Sequence, residues 1–135
     1  MIVSDASWIG PWVCERGGGS WQEGRGCALG LTDSNDGLIA GVLYEDWNGA
    51  QIICHIAGIG NWSSCRAYMR AIFAYPFRQL KAKRITAPVA SCNLKAQRFV
   101  ERLGFVREST LTDAHPDGDI FIYKMTPDNC RWLKL

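Results

Sequence analysis

The 135-residue sequence has almost no net charge and no long apolar run. Its 15 basic and 13 acidic residues leave a formal charge of +2, whereas nucleic-acid-binding domains carry a basic excess on one face. No apolar stretch approaches the roughly 20 residues that cross a bilayer, and the first residues lack the charged start and apolar core of a secretory signal. These absences argue against nucleic-acid or membrane partners and predict a cytoplasmic protein.

Paired cysteine motifs are missing as well. The six cysteines are Cys14, Cys27, Cys54, Cys65, Cys92 and Cys130. No two of them have the C-x-x-C spacing typical of zinc sites, so the sequence predicts no metal site. Because disulfides form in oxidising compartments, we predict that all six thiols are reduced and that most are buried.

What the sequence does contain is a globular composition, 47% hydrophobic and 21% charged, which predicts a single domain over residues 1–135. Hydrophobic periodicity predicts a short helix before residue 16, where Pro11 interrupts, and a glycine-rich loop over 16–26. The further predicted strands are 27–33, 38–47, 50–57, 84–90, 105–110 and 119–125, and the further predicted helices are 65–80 and 93–104. This order is typical of an α/β (α+β) fold with one central, mostly antiparallel sheet covered by helices.

The Asn48-Gly49 pair predicts a two-residue hairpin turn. That turn would set Tyr44 opposite Ile53 and Val42 opposite His55, so Tyr44 and His55 would share one face of the sheet. Glu45 would then point to the other face, unless a bulge shifts the register.

Two stretches indicate more than architecture. The segment "NLKAQRFVERLGF" (93–105) is an N-x-x-A…L-G-F pattern on a helix that leads into a strand, and "HIAGIGNWSS" (55–64) ends a strand in two glycines. With this element order, they resemble the GNAT-type N-acetyltransferases over about residues 27–125. Within them, the chain looks most similar to ribosomal-protein acetyltransferases and to small phage-encoded members, whose "YPF" and terminal "CRWL" stretches are similar.

The resemblance implies acetyl-CoA as cofactor and a primary amine as acceptor, either a small molecule or a protein N-terminus or lysine. It also implies a V-shaped splay between the strands 50–57 and 84–90 that takes the pantetheine arm. Members of the family usually place a strand and two helices before the position of residue 27, so the segment 1–26 is a shortened version of that part. We expect a monomer or a homodimer.

The resemblance further implies that the loop after the strand 50–57 holds the pyrophosphate. A helix N-terminus with free N–H groups attracts anions, and glycines let the backbone approach them. The alternative is that the glycines merely end a strand. Where the family usually has an Arg or Gln at the start of this pattern, the present sequence has His55. The residues "NWSS" separate Gly60 from the predicted helix, so we expect the phosphate contacts to be shifted toward residues 61–66. The candidate contacts are Ile56, Ala57, Gly58, Gly60, Asn61, Ser63, Ser64 and Arg66.

For catalysis, an acetyltransferase needs a base for the amine and a donor for the oxyanion. His55 is the first candidate base because imidazole has an ordinary pKa of about 6.5. Tyr44 is expected to contact the acceptor or relay a proton, and Glu45 is the rival base. The N–H of Ile56 or of Ala57 is the candidate oxyanion donor.

The helix 93–104 carries the remaining candidates. The resemblance implies that Asn93 binds pantetheine, with Ala96 and Phe99 packed nearby, although Asn93 is also a plain helix cap. Lys95 and Arg98 either contact the 3′-phosphate or form a solvated face. Val100 stands where many members of the family have a tyrosine acid. That absence motivates an alternative function, a non-catalytic acyl-CoA-binding or host- or partner-interaction protein on the same fold.

Overall fold

The computed structural model describes residues 1–134. The strands are β1 Ile2–Val3, β2 Gly26–Thr32, β3 Leu38–Glu45, β4 Gln51–Gly58, β5 Arg84–Ala90, β6 Val106–His115 and β7 Gly118–Met125. The helices are α1 Ala6–Gly17, α2 Arg66–Ala74 and α3 Leu94–Leu103, and a π-helical segment, Tyr75–Gln79, extends α2. Within residues 1–134, no helix is both long enough and apolar enough to span a membrane.

The seven strands form one mixed sheet in the order β1-β2-β3-β4-β5-β7-β6. All neighbouring strands are antiparallel except β4 and β5, which run parallel. The β4–β5 ladder covers only the pairs Gln51–Arg84, Ile52–Ile85 and Ile53–Thr86. Beyond these pairs the two strands separate, and the predicted V-shaped splay of the sheet is present.

Helices cover both faces of the sheet. On one face α1 packs on β2, β3 and β4, burying Ile9 and Val13 against Leu43 and Ala57. The larger core lies on the other face, where α2 and α3 place residues such as Phe73 and Val100. The fold class predicted from the sequence, a central mixed sheet flanked by helices, is confirmed.

Local sequence signals set the ends of the helices. Asn93 caps α3 by accepting a hydrogen bond from the N–H of Ala96 at 3.0 Å, and Gly104 ends the helix with a φ of 113°. Pro76 has no N–H to continue the α-helical ladder, and the chain passes into wider turns in which the N–H of Leu80 donates to the carbonyl of Tyr75. The helix predicted over 65–80 is therefore divided at Pro76 into α2 and the π-helical segment.

Some predicted boundaries were wrong. Helix α1 continues through Pro11 to Gly17, so the predicted interruption at Pro11 is absent. The hairpin of β6 and β7 extends to His115 and Gly118, so residues predicted as a long connection continue the strands. Strand β1 consists of only two residues and had no sequence signal. All six cysteines are free, as predicted, but only Cys54 and Cys130 are buried, while Cys27 and Cys92 are exposed.

The predicted register of the β3–β4 hairpin was wrong by one residue. Leu43 pairs with His55, Tyr44 with Cys54 and Glu45 with Ile53. A five-residue connection replaces the two-residue turn because Asp46 takes a positive φ of 56° and the side chain of Asn48 accepts hydrogen bonds from the following backbone. The faces of the strand are therefore exchanged, and Glu45 joins His55.

Candidate functional site

The splay opens into a cleft of about 670 Å³. One wall is the second half of β4, the other is the middle of β5, and one face of α3 closes one side along the length of the helix. The N–H of Ile59 donates a hydrogen bond to the carbonyl of Ile39. These two residues therefore form a hydrogen-bonded pair at the end of the β3–β4 ladder. Because such pairs alternate in an antiparallel ladder, the N–H groups of Ile56 and Gly58 point toward β5. Where β5 has moved away, these groups lie free along the cleft.

The loop after β4 presents backbone donors to the mouth of the cleft. Among the backbone hydrogen bonds of residues 1–134, none is donated by the N–H groups of residues 60–63 or of residues 66–68 in the first turn of α2. Gly60 adopts a φ of 65° with open space beside it. Converging free N–H groups at the start of a helix form an anion site, and this geometry fits a pyrophosphate.

The side chains of this loop divide into two sets. Gly60, Asn61 and Ser63 line the cleft. Ser64 and Arg66 lie outside its lining: the Ser64 hydroxyl donates to the Asn61 carbonyl at 2.7 Å and closes a short 3-10 turn. Neither serine caps α2: Cys65 occupies the N-cap position and makes no side-chain bond to the helix.

Trp62 is the feature of this loop that sequence reasoning missed. Its indole is 6% exposed and packs against Phe99, with ring centroids 5.2 Å apart. A Cβ on Gly58 would overlap the indole. The absence of a side chain at Gly58 is therefore required for the packing of Trp62, whether or not a ligand also approaches the backbone there.

The corrected register brings Glu45 and His55 into contact beside the splay. Glu45 Oε1 lies 2.8 Å from His55 Nε2, and the two side chains are only 9% and 10% exposed. The carboxylate accepts from the Nε2–H tautomer, which leaves Nδ1 with a free lone pair. A buried carboxylate that orients an imidazole is an arrangement suited to proton transfer.

The glycine-rich loop before β2 covers this pair. A Cβ on Gly19 would lie 3.2 Å from the His55 ring, so only a glycine allows the loop to pass so closely. At the end of the loop, Arg25 lies 3.6 Å from Glu45 and 3.2 Å from Asp46, and these two carboxylates raise the pKa of the guanidinium. The loop thus fixes the second oxygen of Glu45.

Tyr44 does not join the pair. It is 1% exposed in the core on the other face of the sheet, and its hydroxyl donates to the carbonyl of Ile72. Burial raises its pKa well above the ordinary value, which keeps the hydroxyl protonated. The predicted shared face of Tyr44 and His55 was wrong because of the register shift.

Cys54 of β4 also lines the cleft. Burial raises the pKa of its thiol to about 12, so the sulfur is a neutral thiol at physiological pH. The buried thiol is therefore poorly suited to act as a thiolate nucleophile, and acyl transfer through Cys54 is not supported.

Helix α3 brings Asn93, Ala96 and Phe99 to the lining of the cleft, as expected for residues near a pantetheine arm. Val100 also reaches the cleft but is 5% exposed and belongs to the core, so no acid stands at that position. Lys95 lines the cleft, whereas Arg98 lies in a neighbouring groove.

Three arginines of the cleft were not predicted: Arg16 at the end of α1, Arg102 on α3 and Arg131 near the C-terminus. Lys95 also lines the cleft, at the other end of α3 from Arg102, and the Arg131 guanidinium donates to the Arg102 carbonyl. These three cations form a positively charged rim along the cleft. No local motif marks these residues, because they meet only after distant parts of the chain have folded together.

The structure resembles several solved structures, whereas comparisons of the sequence found no match. No protein-family model and no curated protein sequence matches the chain. A spermidine/spermine N-acetyltransferase from Vibrio cholerae in complex with manganese ions superposes with a TM-score of 0.71 and 15% identity, over 93% of this chain and 91% of that one. A spermidine N-acetyltransferase from the same organism, in complex with CoA and spermine, gives 0.65 and 20%, over 80% and 69%.

An acetyltransferase of the GNAT family from Bacillus anthracis has a TM-score of 0.59 and 16% identity, over 77% of this chain and 67% of that one. At such identities the similarity establishes the architecture. The chain has the fold of the GNAT acetyltransferases.

Proposed function

We propose that the protein is an acetyl-CoA-dependent N-acetyltransferase that acetylates a primary amine. The observation that carries this proposal is the buried Glu45–His55 pair at the edge of a splay whose other end presents free backbone N–H groups. The acid–base pair lies beside the splay, and the anion site lies at its other end. This arrangement suits a long ligand that has a reactive group at one end and phosphates at the other.

The residues of the cleft would contact acetyl-CoA along most of its length. The free N–H groups of residues 60–63 would bind the pyrophosphate, and the rim of Lys95, Arg102 and Arg131 would bind the 3′-phosphate. Asn93, Ala96 and Phe99 would line the pantetheine arm. When bound, acetyl-CoA supplies an acetyl group activated as a thioester.

The chain itself supplies the proton transfer. His55 Nδ1 would remove the proton of the incoming ammonium, and Glu45 would stabilise the resulting imidazolium through Nε2. The N–H of Ile56, which points into the splay, would donate to the developing oxyanion. Of the two donors considered from the sequence, Ile56 is favoured because the N–H of Ala57 faces Gly41 in the β3–β4 ladder.

Because the pair lies on the α1 face of the sheet, the acceptor would reach it from that side, past the glycine-rich loop that covers it. The two carboxylates beside His55, Glu45 and Asp46, are both compensated by Arg25. A polyamine needs unpaired negative charge for its distal ammonium groups. We therefore propose an acceptor with a single reactive amine in a largely neutral setting, such as a protein N-terminus or a lysine side chain, rather than a polyamine.

The first test is calorimetric titration with acetyl-CoA, followed by thiol release on a panel of spermidine, lysine peptides and free N-terminal peptides. We expect micromolar binding that is lost in Gly60→Asp, where a carboxylate would repel the phosphates. Gly49→Asp is the matched control, since Gly49 also has a positive φ and open space but lies in the β3–β4 turn. A folded wild-type protein that binds no acetyl-CoA would refute the proposal.

Val100 favours one alternative, a protein that binds acyl-CoA without turning it over. A buried aliphatic side chain stands at the family's acid position, so the thiolate would have to be reprotonated by solvent. Binding of acetyl-CoA without turnover on any amine of the panel would support this alternative, and acetylation of any amine would exclude it.

A further inference from the structure

Three potential metal ligands meet at the tip of the β6–β7 hairpin. The Cys92 sulfur, an imidazole nitrogen of His115 and a carboxylate oxygen of Asp117 lie within 4.8 Å of one another. Cys92 belongs to the connection between β5 and α3, whereas His115 and Asp117 flank the hairpin turn. This hairpin cluster therefore joins two segments that are distant in the sequence, and it lies outside the lining of the cofactor cleft.

The backbone around the cluster is fixed by contacts that do not involve its three side chains. The N–H of Ser91 donates to the carbonyl of Asp119 at 2.9 Å, and the N–H of Asp119 donates to the Ser91 hydroxyl at 3.0 Å. Gly118 passes so close that a Cβ there would lie 2.9 Å from that hydroxyl oxygen. The two segments are thus held together independently of any ligand.

The donor atoms of the cluster are available. Within residues 1–134, neither Cys92 nor Asp117 takes part in an ion pair or a side-chain hydrogen bond. His115 Nδ1 accepts one hydrogen bond, from the N–H of Asp117 at 3.1 Å, which a ligating imidazole would exchange. The turn segment "TDAHPDGD" (112–119) holds three aspartates and no lysine or arginine, so its own charge attracts cations.

From this placement, we propose that Cys92, His115 and Asp117 form a zinc site with water as the fourth ligand. Thiolate, imidazole and carboxylate are the donors that Zn²⁺ prefers, at about 2.0–2.3 Å. Calcium and magnesium prefer all-oxygen sites. Binding would release the Cys92 thiol proton to solvent, and one thiolate plus one carboxylate would balance the dication. Since the donor atoms already lie within 4.8 Å of one another, small side-chain rotations would bring them to the spacing of a tetrahedral site.

Zinc bound here would cross-link the hairpin to the loop that leads into Asn93, the cap of α3. Since Asn93 lines the cofactor cleft, the metal would stiffen one wall of that cleft from outside. The site would be structural or regulatory and would not take part in the acetyl transfer.

Cobalt titration of reduced, tag-free protein tests the proposal, because a Co²⁺–thiolate bond absorbs in the near ultraviolet. We expect one equivalent of Co²⁺ to produce this band and Zn²⁺ to remove it. The band should be absent in Cys92→Ser, and binding should weaken roughly tenfold or more in His115→Gln and Asp117→Asn. Cys27→Ser is the matched control, since Cys27 is the other exposed cysteine and lies on β2.

Absence of the band at millimolar cobalt would overturn the proposal, as would a band retained in Cys92→Ser or lost in Cys27→Ser. Cys92 and Asp117 are exposed and His115 is half-buried. In the absence of metal the three variants should therefore melt close to the wild type, which controls for folding. None of these readouts depends on acetyl-CoA, so they are independent of the proposed acetyltransferase activity.

Discussion

Glu45 and His55 meet because one backbone torsion angle departs from the simplest hairpin. With Asp46 at a φ of 56°, the connection takes five residues and Glu45 turns to the α1 face. Sequence reasoning selected both residues as candidate bases, but it placed them on opposite faces because Asn48-Gly49 is such a strong two-residue turn signal. A single residue of register is enough to exchange every side chain between the faces of a strand.

The first prediction concerns this pair. In His55→Gln, we expect kcat for the best acceptor to fall by roughly 10²–10⁴-fold, the usual contribution of a positioned base, with the dissociation constant of acetyl-CoA unchanged. Glu45→Gln should lose less, because its amide oxygen can still accept from Nε2. Glu23→Gln, in the glycine-rich loop, serves as the control. An unchanged kcat in His55→Gln would contradict the proposed role of His55.

A second prediction at this scale concerns Gly58. In Gly58→Ala the new methyl group would overlap the buried Trp62 indole, and overpacking of this kind costs about 1–3 kcal/mol. Urea unfolding, followed by tryptophan fluorescence, should show a lower midpoint. Gly37→Ala is the control, since its Cβ would lie 3.7 Å from the nearest atom. Equal midpoints for both variants would show that Trp62 moves freely.

At the scale of elements, the periodic segments were predictable from the sequence and their junctions were not. Helix α3 begins and ends at Asn93 and Gly104 because capping is a local property of the chain. The free N–H groups after β4 depend instead on how a 3-10 turn at Trp62–Ser64 meets α2. Such junctions are decided by tertiary packing, here the burial of Trp62, which no local pattern encodes.

The prediction for α3 separates the two roles of Asn93. Asn93→Ala should lower the free energy of unfolding by about 1 kcal/mol through loss of the cap, and it should also weaken acetyl-CoA binding. Asn93→Ser keeps a capping oxygen and should retain stability, but its shorter side chain should still bind acetyl-CoA more weakly. If Asn93→Ser binds as well as the wild type, Asn93 is a cap only. Chemical denaturation and calorimetry measure the two effects.

The prediction for the sheet concerns an ion cluster across β5, β6 and β7. Glu108 contacts Lys124 and Arg84, at 3.0 and 2.9 Å, and these hydrogen bonds lower its pKa from the ordinary 4.5. A lowered pKa in the folded state means stabilisation that is present above the unfolded-state pKa and lost as the pH falls through the folded-state value.

The melting temperature of the wild type should therefore exceed that of Glu108→Gln near pH 7, and the gap should close below about pH 4. Thermal scans across this range measure it. Glu101→Gln, on the surface of α3, controls for a general effect of losing one carboxylate. A gap that persists unchanged at low pH would mean that Glu108 contributes through packing and not through charge.

For the whole molecule, acetyl-CoA would contact β4, β5, the loop after β4 and α3 at once. At a ligand concentration of 100 times the dissociation constant, binding should stabilise the fold by roughly 2.7 kcal/mol, which raises the melting temperature by several degrees. Acetyl-dephospho-CoA should raise it less, because the rim of Lys95, Arg102 and Arg131 has no 3′-phosphate to bind. Equal shifts would remove the rim from the proposed site.

The separation of β4 from β5 has a consequence for solubility. A sheet normally has two outer edges, but this one has two more inside it, where each strand faces open space over several residues. Strand edges with unpaired backbone groups recruit strands of other molecules. The ligand-free protein should therefore aggregate more readily than the liganded one, and the amide hydrogens of Ile56 and Gly58 should exchange with deuterium rapidly until a ligand fills the gap.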